Sequence, residues 1–182
     1  MHPLPCPCDV PSPAGRGPRA VAGPPGTVPH AVGVHRHLER HGRVPLGPRH
    51  PDVACPGGVR HALAGHCEDE PARACPVREA YEEAGPVIDA DDLGLVHTVH
   101  AADRPGGQPR IPLFFRPRRR TGGAEVREPV TCVGWRWRSA AEPPRRIVPC
   151  TRAATDGIGA GRPCTASGWQ GRPAARPAGR PR

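Results

Sequence analysis

The chain has 182 residues, enough for one domain with tails. Its apolar content of 36% is low for a folded chain, and 28 prolines with 23 glycines crowd its two ends. The formal charge is +9 and all 26 basic residues are arginine. They are scattered, and Phe, Tyr and Trp together are too few for a base-stacking surface, so a nucleic-acid partner is disfavoured.

Residues 1–29 carry a proline every few positions and no apolar period, the composition of a disordered arm. From Ala31 the pattern changes: Val32, Val34 and Leu38 alternate with polar residues, His41-Gly42 makes a turn, and RVPLGPR follows, which together predict a hairpin. Pro45 and Pro48 each remove a ladder donor, so the second strand is either an edge strand or poorly paired. In a strand His35 and His37 share a face, but His41 lies past the turn, so the three read as surface histidines rather than a ligand cluster.

The segment from Gly65 to Gly85, GHCEDEPARACPVREAYEEAG, is the densest in chemistry. Pro71 suits a first helical position with Asp69 or Glu70 capping it. An apolar stripe of Ala74, Val77, Tyr81 and Ala84 would bury one side. Glu79, Glu82 and Glu83 stand at i, i+3 and i+4 and share the other. Such crowding is either a solvated face or a site for a divalent cation, and oxygen donors suit Mg²⁺ or Mn²⁺. Pro76 falls inside the expected helix, where it costs about 3 kcal/mol.

Leu93–His100 reads as a strand, Pro105-Gly106-Gly107 as a turn, and Ile111–Arg118 as the partner strand. Arg116, Arg118, Arg119 and Arg120 at its end either meet a substrate or form a solvated edge. Trp135 and Trp137 alternate in a further strand, and residues 147–161 read as a short helix. Residues 161–182 read as a basic, disordered tail. The eight cysteines show no paired CxxC spacing, which gives no support for structural zinc. With no signal peptide or membrane-length apolar run, a reduced, cytoplasmic setting is the default.

The string Glu70-x7-Arg78-Glu79-Ala80-x-Glu82-Glu83-x-Gly85 resembles the box of the Nudix hydrolases, G-x5-E-x7-R-E-U-x-E-E-x-G-U with U a bulky apolar residue. It is a degenerate, MutT-like copy: Gly65 precedes Glu70 by four residues rather than five, and Pro86 replaces the last apolar residue. The resemblance implies an α/β/α sandwich with a mixed sheet over residues 30–160. It further implies hydrolysis of a nucleoside diphosphate linked to another moiety, with Mg²⁺ or Mn²⁺. The metal would be held by Glu79, Glu82, Glu83 and the carbonyl of Gly65, and one of the acids would help deprotonate water. Arg78 would pair with Glu82 or Glu70 to hold the acids, and Glu128 would add a carboxylate from a later loop. A catalytically impaired nucleotide-binding module is the alternative.

Overall fold

The computed structural model describes residues 23–25, 27–48, 59–67, 69–84, 88–102, 108–119 and 134–169, without the side chains of residues 83 and 84. In chain order its elements are β1 (Ala31–Arg36), β2 (Arg43–Pro48), β3 (Arg60–His61), β4 (Ala64–His66), α1 (Ala74–Ala84), β5 (Leu93–Ala101), β6 (Arg110–Pro117), β7 (Arg136–Ser139), α2 (Pro149–Gly159) and β8 (Cys164–Ser167). The larger sheet has the order β4-β1-β6-β5-β8 and is mixed: β1–β6 and β5–β8 are parallel, β1–β4 and β5–β6 antiparallel. A smaller antiparallel sheet has the order β3-β2-β7.

Two adjacent phenylalanines show how the layers form. Successive strand residues point to opposite faces. Phe114 packs with Val99, Ala101, Val148, Cys150 and Ala154 beneath α2, whereas Phe115 packs with Val34, Cys75, Ala80, Ile88 and Leu93 beneath α1. Both rings are almost wholly buried, and each is worth about 1.5–3 kcal/mol of transfer free energy. The sheet is thus covered by one helix on each face, the α/β/α sandwich expected.

The first hairpin is corrected. Its turn exists: His41 (φ 49°) and Gly42 (φ 67°) are both left-handed, and Arg40 and Arg43 exchange backbone bonds of 2.9 and 3.0 Å. The strands then diverge, β1 to an interior place between β4 and β6 in the larger sheet and β2 to the middle of the smaller one. The β2 prolines are accommodated by register. Ala140 N–H donates to Gly42 O, which makes Arg43–Ser139 and therefore Pro45–Trp137 non-hydrogen-bonded pairs. The missing N–H of Pro45 thus points away from β7. Pro48 is the last residue of its strand.

Interior placement of β1 also overturns the surface reading of its histidines. His35 and His37 are buried, and His35 stacks on Phe114 with ring centroids 4.5 Å apart. The tail boundary moves as well. Cys164–Ser167 pairs in parallel with Thr98–Ala101 and satisfies backbone groups of β5 on that side. The readings of residues 1–22 and 170–182 as disordered segments lie outside the described residues.

Candidate active site

The acidic stretch begins where β4 ends, and α1 starts later than expected. The Pro71 carbonyl accepts from the N–H groups of Ala74 (2.8 Å) and Cys75 (3.4 Å), and the helix proper opens at Ala74. Pro76 is therefore the third helical residue. It stands in the first turn, where most N–H groups have no helical partner, and the one donor it withholds is the N–H that would reach Ala72 O. The cost is smaller there than in a helix interior. The buried stripe is rotated too: Cys75 and Ala80 are fully buried, while Tyr81 is 59% exposed. This rotation carries Glu79 partly under the helix and leaves Glu82 at its rim.

Arg78 organises the site. Its Nη2 and Nε donate to Glu70 Oε1 at 2.6 and 3.2 Å, while Nη1 donates to Glu79 Oε1 at 3.0 Å and Glu82 Oε2 at 3.1 Å. Nη2 also reaches the His66 carbonyl at 3.2 Å, tying α1 to β4. One planar guanidinium thus fixes three carboxylates, which an ammonium could not do with the same geometry. Glu70 serves this ion pair from the loop before α1. Its hydrogen bond is the main reason the guanidinium holds its proton more tightly than usual.

Glu79 is the most enclosed of the three acids, with 15% of its side chain exposed against 19% for Glu70 and 45% for Glu82. Burial pushes its carboxyl pKa up, against the opposing charges of Arg78 and Arg36. Its carboxyl lies against Gly65 so closely that a Cβ there would overlap it. The close approach is possible only because residue 65 has no side chain.

Arg36 is the residue that motif reading missed. It is 2% exposed, on the α1 face of β1, and its Nη1 donates to the Pro76 carbonyl at 3.2 Å. The available signal was a charge two residues beyond Val34, on the same inward face.

The structure brings Gly65, Glu70, Arg78, Glu79 and Glu82 together. Glu83 belongs to α1, but its side chain lies outside the described residues, as does Glu128. Arg116 bonds Glu39 at 2.9 Å and Arg119 bonds Asp92 at 3.2 Å, so both are engaged by surface acids; Arg120 lies outside the described residues. Among the described residues no three His, Cys, Asp or Glu side chains converge on one point. Arg78 joins the acids instead. Glu79 and Glu82 are nevertheless oxygen donors of the kind a hard divalent cation takes, and Glu79 lies against Gly65.

No family model matches the sequence, and no curated protein does. Solved structures match it well. The MutT Nudix hydrolase of Burkholderia pseudomallei superposes with a TM-score of 0.60 at 23% identity, over 70% of this chain and 97% of that one. The E. coli ORF135 protein gives 0.61 at 21% identity, over 76% and 94%. A Nudix hydrolase from Nitrosomonas europaea gives 0.60 at 20%, over 75% and 93%. The chain therefore has the Nudix fold, and its Arg78-centred acids occupy the segment that resembles the Nudix box.

Proposed function

We propose that this protein is a Nudix-type hydrolase that cleaves a pyrophosphate bond in a nucleoside diphosphate joined to another group. The observation that carries the reading is the Arg78 fork, which gathers Glu70, Glu79 and Glu82 beside Gly65 on a Nudix fold. Glu79, Glu82, Glu83 and the Gly65 carbonyl would hold Mg²⁺ or Mn²⁺. Such an ion, when bound, supplies neutralisation of the pyrophosphate oxygens and a more acidic water. Glu128 is proposed as a further acid at the same site.

The chain's own residues do the rest. Arg78 keeps the carboxylates oriented, and Glu70 anchors Arg78 from the loop before α1. Arg36 props the first turn of α1 from below, so Glu79 keeps its position against Gly65. One of the box glutamates accepts a proton from the attacking water. The water oxygen then bonds to phosphorus, the bridging P–O bond breaks, and the leaving phosphate departs with the bond's electron pair.

We place the reaction in the cytoplasm, in keeping with the free thiols of Cys67, Cys75, Cys150 and Cys164. Among the described residues no helix is long and apolar enough to cross a membrane. Incubation with nucleoside diphosphate derivatives and Mg²⁺ should release a nucleoside monophosphate or phosphate. Glu82→Gln and Glu83→Gln should each abolish that release with the fold retained. Unchanged turnover in both would overturn the site.

A further inference from the structure

At the end of the β5–β6 pair remote from Leu93 and Phe115, which α1 covers, two histidines meet head to head. His30, just before β1, and His100 of β5 bring their Nε2 atoms within 3.0 Å, with ring centroids 5.1 Å apart and planes tilted by 32°. His30 Nδ1 lies 2.7 Å from the Val28 carbonyl. A carbonyl only accepts, so Nδ1 carries the proton and Nε2 presents a lone pair. A metal-bound histidine commonly has this arrangement, donating its other ring N–H to a carbonyl. His100 is braced by Trp169, whose ring lies 4.3 Å away and whose Nε1 donates to the His100 carbonyl at 2.8 Å.

The spacing matches a coordination edge. Imidazole nitrogens about 2.0–2.1 Å from a zinc-like ion, at angles between square and tetrahedral, stand about 2.9–3.4 Å apart. We propose that His30 and His100 form a two-imidazole site for a divalent ion of the zinc, nickel or copper class, with solvent completing its coordination. His100 needs only to carry its proton on Nδ1 rather than Nε2, so no oxidation or reduction is involved. The bound ion would fasten the segment leading into β1 to the end of β5, across β6. This site is independent of the acids on α1 and of the hydrolase reading.

Trp169 supplies a local reporter. The full chain, in excess Mg²⁺ to occupy carboxylates, is titrated with Ni²⁺ and followed by tryptophan fluorescence and calorimetry. Saturable quenching is expected, with affinity at least about tenfold weaker in His30→Ala and in His100→Gln. The glutamine retains a hydrogen-bonding group for His30, so its failure to bind separates ligation from simple tethering. Trp169→Phe should keep the calorimetric binding and lose the quenching. Absence of saturable quenching in the parent, or equal affinity in both histidine variants, would overturn the proposal.

Discussion

Gly65→Ala tests the closest contact in the candidate active site. A Cβ at residue 65 would fall 2.1 Å from Glu79 Cδ and 2.2 Å from Cγ, where ordinary contact begins at 3.4 Å. The Glu79 carboxyl must therefore retreat by about 1.3 Å or more, a distance at which van der Waals overlap is severe. It would leave the 3.0 Å bond to Arg78 Nη1. Gly65 is not among the positive-φ glycines, so alanine adds no backbone strain. Alanine in a strand gains about 0.5–1 kcal/mol over glycine. That offsets the loss of a partly exposed ion pair, worth about 1 kcal/mol at most. Stability should thus stay within about 1 kcal/mol of the parent. A misplacement of this size costs about 100-fold in turnover, and Mn²⁺ affinity should fall about tenfold. Calorimetry with Mn²⁺, turnover and a thermal melt on the same preparations measure all three. Mn²⁺ affinity and turnover equal to the parent's would refute the placement of Glu79 at Gly65.

Pro76→Ala should change the melting temperature by only a few degrees, since residue 76 lies in the first turn of α1; a rise equivalent to about 3 kcal/mol would show that the proline strains the helix. Arg78→Lys removes the fork that spans three acids and should lower turnover at least about tenfold, while stability, read by urea denaturation, shifts by about 1 kcal/mol or less. Arg36→Met withdraws a buried donor from the Pro76 carbonyl and should cost about 1–3 kcal/mol in the same assay. Burial holds the His37 pKa below the usual 6.5. As pH falls, the unfolded chain takes up this proton before the folded one. The contribution of His37 to stability is therefore complete above pH 6.5 and is lost as pH falls toward the folded value. His37→Gln should flatten the slope of melting temperature between about pH 7.5 and about pH 5.5.

What the sequence revealed and what it hid divide along physical lines. Arg78, Glu79 and Glu82 were legible because their spacing in a helix is local, and β5 and β6 because apolar runs flank Pro105-Gly106-Gly107 in the sequence; that turn itself lies outside the described residues. The first hairpin misled because its turn chemistry is genuine. Whether β1 then continues beside β2 depends on β4 and β6, which lie far off in sequence. His35 looked like a surface residue for the same reason, since its burial comes from a strand held between distant partners. The apolar stripe puts Tyr81 inward, but the face that packs on the sheet is the one with Cys75 and Ala80, and Tyr81 stands 59% exposed. Cys164–Ser167 carries almost no apolar signal; its order comes from the β5 backbone beside it.

The central claim is that the Arg78-held carboxylates hydrolyse a pyrophosphate bond with a divalent metal. The most direct measurement is product mass from a panel of nucleoside diphosphate derivatives incubated with Mg²⁺ or Mn²⁺, run beside Glu82→Gln. The account predicts a nucleoside monophosphate or phosphate product that requires the metal, carries one oxygen from solvent water, and disappears in the variant. No metal-dependent product across the panel, or equal product from Glu82→Gln, would contradict it.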